Sequence, residues 1–159
     1  MAEKTNAIRL IQQAKLVYRE IFYEFDGSDS IGLHAASTIG IPAEQVFKTL
    51  VARGDRNGIQ VFCIPACCEL DLKKAAKVSN NKKIELVAVK DLLNLTGYIR
   101  GGCSPIGMKK QFATVIDETA TLFDKIYVSA GVRGMMLGIN PDELLDYVGA
   151  KFADVTFVE

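Results

Sequence analysis

Between Phe47 and Ile64 the chain has few ways to fold. Phe47 to Arg53 and Ile59 to Ile64 are two strand-like runs, joined by Gly54-Asp55-Arg56-Asn57-Gly58. That arrangement signals a β-hairpin. In the first arm, side chains alternate between faces, so Lys48 shares a face with Leu50 and Ala52, and Phe47, Thr49 and Val51 share the other. Both faces carry apolar groups, which points Lys48 into a cavity or its rim. An ammonium held there needs an anionic or carbonyl partner, or it loses its charge. Snorkelling to solvent is the alternative.

The flanking sequence alternates short helices and strands irregularly. Thr5 caps a first helix, with Ala7, Ile8, Ile11 and Ala14 at helical spacing. Tyr18 to Phe25 reads as a strand closed by Asp26-Gly27. A short helix over 33–39 ends at Gly40, and Ile41-Pro42 opens a further turn. Asp71 caps a helix through Ala76, Ile84 to Val87 reads as a buried strand, and Val89 to Leu95 makes a helix stopped by Gly97. Val115-Ile116, Lys125 to Ser129 and Met135 to Ile139 are further strands. Asn140-Pro141-Asp142-Glu143 starts a last helix running to about Val148, and Phe152 to Val158 completes the chain.

No repeat or linker interrupts the 159 residues, so they form one domain. Long crossover helices, Gly-x-Gly-x-x-Gly and Gly-x-x-x-x-Gly-Lys-Ser/Thr are all missing, which argues against a nucleotide-cofactor fold. A mixed, partly closed sheet of α+β type with helices around it is the natural solution.

Apolar residues make up 49% and charged residues 24%, with no run near the ~18 apolar residues a membrane span needs. The N-terminus lacks signal-peptide character, so a cytoplasmic protein with free thiols is expected. Cys63, Cys67 and Cys68 have no usual zinc spacing, and the single His34 is remote, so neither metal nor cofactor is expected.

The formal charge is zero but unevenly spread. Residues 1–72 carry 7 basic and 9 acidic groups, residues 73–110 carry 9 and 2, and residues 111–159 carry 3 and 8. The middle third, with Lys73, Lys74, Lys77, Lys82, Lys83, Lys90, Arg100, Lys109 and Lys110, could orient a polyanion without making the whole protein a nucleic-acid sponge. A solvated helix face is the alternative.

Two further segments suit chemistry. Gly101-Gly102-Cys103-Ser104-Pro105-Ile106-Gly107 is a stiff loop whose amides could approach a carbonyl and hold a developing oxyanion. Tyr127-Val128-Ser129-Ala130-Gly131-Val132-Arg133-Gly134 ends a strand in a turn that presents a hydroxyl and a guanidinium suited to phosphate. An ordinary turn with a surface arginine is the alternative.

Taken in order, Phe-Lys-Thr-Leu (47–50), Glu-Leu-Asp-Leu-Lys-Lys-Ala-Ala-Lys (69–77), Thr-Gly-Tyr-Ile-Arg-Gly-Gly-x-Ser-Pro-x-Gly-x-Lys-Lys (96–110) and Tyr-Val-Ser-x-Gly-x-Arg-Gly (127–134) resemble the YbaK/EbsC family. These are free-standing relatives of the editing domain inserted in bacterial prolyl-tRNA synthetases. The resemblance runs nearly end to end, through Gly149-Ala150-Lys151-Phe152-Ala153-Asp154.

The resemblance implies a mixed barrel-like sheet of six or seven strands, and an enzyme that removes cysteine from Cys-tRNA(Pro), possibly also from Cys-tRNA(Cys). Lys48, Gly101 and Gly102 would be catalytic. Tyr23, Cys103, Ser104, Pro105, Ser129, Gly131 and Arg133 would line the substrate pocket, and Lys73, Lys74, Lys77, Lys109 and Lys110 would meet the tRNA. Prolyl-tRNA synthetase is the implied partner; no DNA or membrane is. The substrate's own thiol would attack its ester carbonyl, which suits a chain with no visible Ser-His-Asp set.

Cys103, Met108 and Met136 depart from the usual pattern. Cys103 raises a protein-thiol nucleophile, and Met136 bears on pocket polarity. Hydrolysis of Ala-tRNA(Pro) or another small aminoacyl ester, and a non-catalytic tRNA- or synthetase-binding module, are the competing functions.

Overall fold

The computed structural model describes residues 4–25 and 31–157. Its elements in the first half are α1 (Asn6–Gln13), β1 (Tyr18–Phe22), α2 (Ile31–Ile39), β2 (Phe47–Gly54), β3 (Gly58–Pro65), β4 (Glu69–Leu70) and α3 (Leu72–Val78). The second half adds β5 (Ile84–Leu86), α4 (Val89–Thr96), β6 (Ala113–Asp117), β7 (Ile126–Ser129), β8 (Met135–Ile139), α5 (Pro141–Val148), β9 (Lys151–Ala153) and β10 (Thr156–Phe157).

The expected hairpin forms, with Phe47 opposite Pro65 and Gly54 opposite Gly58. It seeds a five-stranded sheet, β5-β2-β3-β6-β9, in which β3–β6 and β6–β9 are parallel. A three-stranded antiparallel sheet, β1-β8-β7, meets β2 through one bridge, Val46 with Tyr127. The first half of β2, Phe47 to Leu50, is therefore a seam: β7 touches the residue before it and β5 pairs only from Ala52 onward.

The main core lies on one side of this double sheet. Ile8 and Ile11 of α1, Leu144 of α5, and Val128, Leu137 and Ile139 of β7 and β8 pack there with Phe47 and Cys63. Thr5 fixes the start of α1 by accepting from the Ile8 amide at 3.1 Å, and Asn140 fixes α5 by accepting from the Asp142 and Glu143 amides. On the opposite side, α2 and α3 lie over two smaller clusters, one of which gathers Tyr23, Ala35, Ala36, Val46, Ala66, Tyr127 and Met136. The other gathers Ala52, Phe62, Ile64, Leu70, Ala75, Ala76 and Ile84, with Leu50 against it.

Several expectations need correction. The ladders are ten strands in three sheets, not six or seven, and they do not close into a barrel among the described residues. β1 ends at Phe22, short of the expected Phe25, although the Tyr23 amide still donates in register to Gly134 O at 2.9 Å. The Asp26-Gly27 turn and Val158 lie outside the described residues. The strand expected to be buried at Ile84 is an edge, with Glu85 and Leu86 exposed. The C-terminal run splits in two where the buried Asp117 carboxylate accepts the Val155 amide at 3.1 Å.

Candidate active site

Strand alternation assigns faces. On β2 the residues Phe47, Thr49 and Val51 turn toward the main-core side. There Val51 meets Val61, Tyr98 and Cys103. Val46, Lys48 and Leu50 turn to the other side, under α2 and α3. Ser129 lies opposite Met136 in the β7–β8 ladder, and by the same alternation both share the face of Tyr127, beneath α2. Lys48 thus sits between the two smaller clusters, in a stretch where Lys48, Thr49 and Leu50 are half-buried while Phe47 and Val51 are closed off. The site is a break in otherwise dry sheet.

Polar groups around that break are sparse. The Tyr23 hydroxyl is fully buried and finds no hydrogen-bond partner among the described residues. Its ring meets His34 edge-on at 6.3 Å, and His34 Nε2 is 2.8 Å from Glu24 O. Cys68 follows β3 beside the seam. Burial first, then Cys67 and the Asp117 carboxylate, push its thiol up to about 11, while the Lys48 ammonium draws it back, which marks Lys48 as its charged neighbour.

The glycine loop reaches the same region around the end of the sheet. A side chain on Gly101 would strike Ile31 of α2 and approach Arg133 Nε at 3.3 Å. One on Gly102 would lie 3.2 Å from Val132 Cα and 3.3 Å from the Arg133 amide, so two backbones approach in a way only glycine permits. Gly131 rests against the Tyr98 ring, and the Tyr98 hydroxyl donates to Ile106 O. The Gly102 amide donates to Ile99 O at 3.0 Å and the Ile106 amide to Ser104 Oγ, which leaves the amides of Gly101, Cys103, Ser104 and Gly107 unused among the described residues. Arg133 is exposed, donates through Nε to Arg100 O at 2.8 Å, and lies 4.9 Å above the Phe25 ring.

Other expected site residues lie elsewhere. Cys103 is buried on the far face, and desolvation pushes its thiol up to about 12, so it offers no thiolate near neutrality. The Ser104 hydroxyl is enclosed and accepts from the Ile106 amide at 3.2 Å. Pro105 lines a separate cavity of about 290 Å³ with Leu10, Lys110, Gln111 and Tyr147. Ser129, by contrast, stays on the α2 side, where its hydroxyl accepts from the Gly131 amide at 3.1 Å and shapes the turn.

The lysines also divide. Lys73 and Lys77 share one groove, and Lys74 is turned away to donate to Asp154 Oδ2 and Thr156 O, both at 2.9 Å. Lys109 reaches Asn94 O at 3.5 Å. Sequence reasoning missed the cover that α2 gives the site through Ala35 and Ala36; two adjacent alanines in a short helix were the only signal. No group of three or more His, Cys, Asp or Glu could hold a metal among the described residues.

Comparison with known proteins agrees with this architecture. A protein of Enterococcus faecalis that carries the name Cys-tRNA(Pro)/Cys-tRNA(Cys) deacylase EbsC is 48% identical, over 99% of this chain and 96% of its own. An uncharacterized Bacillus subtilis protein, YwhH, is 24% identical over 80% of this chain and 81% of its own. Among solved structures, the hypothetical protein APE2540 superposes with TM-score 0.84 at 23% identity, covering 94% of this chain and 97% of that one. A structure described as a trans-editing enzyme for prolyl tRNA synthetase gives 0.82 at 24%, covering 95% and 92%; at that identity both show the fold alone. The family described as Aminoacyl-tRNA editing domain matches residues 31–147, and with β2, the glycine loop and the β7 turn all inside that span, the chain belongs to the aminoacyl-tRNA editing domain family.

Proposed function

We propose that this protein is a trans-editing deacylase that removes cysteine from Cys-tRNA(Pro), and also from Cys-tRNA(Cys). The observation that carries the reading is the half-buried Lys48 at the sheet seam, on the α2-covered side that Gly101 also reaches, in a chain nearly half identical to a named deacylase of that substrate. Lys48 holds the terminal-adenosine end of the ester, and the amides of Gly101 and Cys103 face the carbonyl. Gly102 contributes the close backbone approach that sets the loop. Tyr23, Ser129, Gly131 and Arg133 line the aminoacyl end. The three enclosed side chains of the loop, Cys103, Ser104 and Pro105, act through its shape.

The substrate thiolate attacks its own ester carbonyl. The carbon–sulfur bond forms as the bond to the ribose oxygen breaks, the ribose oxygen takes a proton, and the amino acid leaves as a thiolactone. An ester is already activated, so positioning and oxyanion stabilisation suffice. Cytoplasmic location and a transient complex with prolyl-tRNA synthetase belong to the same reading, because a near-neutral surface gives weak tRNA selectivity alone.

Labelled aminoacyl-tRNA(Pro) tests it. Cysteine release should be rapid, release from Ser-tRNA(Pro) negligible, and Lys48→Ala should lower the rate by at least about 100-fold with an unchanged circular dichroism spectrum. Equal rates on the serine and cysteine esters, or on the alanine ester, would replace thiol attack by water attack. An unimpaired Lys48→Ala variant would remove the lysine from the mechanism.

A further inference from the structure

Beyond the seam, on the side of the sheet that Lys48 faces, α3 and the start of β5 enclose an open groove of about 490 Å³. Leu72, Ala76 and Ile84 form its apolar floor, and Lys73, Lys77, Lys82 and Lys83 line it. Lys73 and Lys77 are four residues apart on α3, about 6 Å along the axis and on one face. Lys82 and Lys83 form the opposite wall, and that wall is held stiffly. Both of their amides donate to Asp55 Oδ1, at 2.9 and 3.1 Å, and the Asp55 amide donates back to Lys83 O at 3.1 Å. Asn81 adds a second tie, accepting from the Arg56 and Asn57 amides at 2.9 and 2.8 Å.

These four lysines converge on one groove, and their ammonium groups are uncommitted among the described residues. Lys4, Lys74, Lys109 and Lys151 each donate to a protein oxygen, whereas none of the four in the groove does so among the described residues. The carboxylates beside them, Asp55 and Asp71, are spent on backbone amides, which hold the Asp55 pKa below the usual range. Four unpaired positive charges converging on one groove are a liability to the folded state unless a polyanion fills it.

Position selects the polyanion. Ala76 and Ile84 belong to the cluster that also contains Leu50 and Ala52, so the groove continues along the same face of β2 from which Lys48 projects. Four strand residues separate Lys48 from Ala52, about 13 Å. We propose that this groove binds the phosphates of the tRNA acceptor arm, guiding the 3′ end toward Lys48. The proposal rests on the deacylase reading and adds where the RNA runs: Lys82 and Lys83 join Lys73 and Lys77, and Lys74 drops out.

The test uses an uncharged acceptor-stem hairpin with a single-stranded 3′ end, labelled and titrated with the intact protein by fluorescence anisotropy across a salt series. Replacing Lys73, Lys77, Lys82 and Lys83 with alanine should weaken binding at least about 10-fold at low salt. It should also flatten the slope of log affinity against log salt by about 3, at roughly 0.7–0.9 per lost phosphate contact. The same four positions changed to arginine should keep both affinity and slope.

Lys4→Ala with Lys15→Ala, flanking α1, should cost less than Lys82→Ala with Lys83→Ala at equal charge change. Unaltered affinity and slope in the four-alanine variant would overturn the proposal. So would an equal loss in the α1 pair, or displacement of the RNA by polyglutamate of matched charge at matched concentration. If the alanine set does not fold, the Lys82→Glu, Lys83→Glu pair decides by the same criteria. The hairpin carries no amino acid, so a protein that binds it through the groove but releases no cysteine would refute the deacylase reading alone.

Discussion

Replacing Tyr23 by phenylalanine should make the protein more stable and a poorer enzyme, and the opposite signs are what make the variant informative. The Tyr23 side chain is 7% exposed, and its hydroxyl lies buried without a partner beside Ala35, Ala36, Val46 and Met136. Leaving a hydroxyl dry and unpaired costs about 1–3 kcal/mol. Phenylalanine fills nearly the same space and removes that cost. In a chain of 159 residues each kcal/mol moves the melting midpoint by about 2–4 °C, so a rise between about 2 and 12 °C is expected in calorimetry. If the hydroxyl finds its partner on the bound aminoacyl group, the variant loses a hydrogen bond of about 0.5–1.5 kcal/mol, and kcat/KM for Cys-tRNA(Pro) falls about 2- to 12-fold. A lowered midpoint would refute the reasoning, because it would mean that the hydroxyl already has a partner in the free protein. A raised midpoint with unchanged kcat/KM would leave Tyr23 as packing only.

Asp117 should be the most costly single polar position. Its Oδ1 accepts from the Val155 amide and the Thr156 hydroxyl, and its Oδ2 from the Thr119 hydroxyl at 2.6 Å, so Asp117→Ala should lose about 2–4 kcal/mol in urea unfolding and release the C-terminal strands first in hydrogen exchange. Cys63 and Cys103 should react with a thiol reagent at neutral pH roughly 1000-fold more slowly than the exposed Cys67, since burial pushes both up to about 12 from an ordinary value of 9.0. For these raised thiols the folded state holds its proton longer than the unfolded chain does. The stability these thiols contribute should therefore be flat below pH 9 and decline as pH rises from about 9 toward 12, with thermal melts as the readout.

Local signals fixed a large part of this structure. The hairpin, the caps at Thr5, Asp71 and Asn140, and the glycine stop at Gly97 all follow from residues a few positions apart, and each helix they bound is present. The face of Lys48 was legible from alternation alone. Less legible was anything set by distant partners. β4 is two residues long and exists because β10 pairs with it. Ile84 to Leu86 looks like a core strand in sequence, but nothing among the described residues pairs its outer edge. In the glycine loop the motif marks the right segment, yet Cys103 and Ser104 turn inward because Tyr98, Val51 and Ile106 offer them space and a donor, a matter of tertiary packing. Lys74 and Lys77 are indistinguishable by type; only the fold brings Asp154 to one of them.

The order in which the five-stranded sheet can be assembled has a consequence during synthesis. β2 and β3 are complete at residue 65, but the strand that covers the free edge of β3, β6, ends at residue 117 and joins in parallel. At roughly 5–20 residues per second, a ribosome needs about 3–10 s to make the stretch between. For that interval a nascent chain carries an apolar hairpin whose edge has no neighbour, a template for pairing with another nascent copy. Slower elongation or a truncated message should therefore favour aggregates seeded by the segment from Phe47 to Pro65.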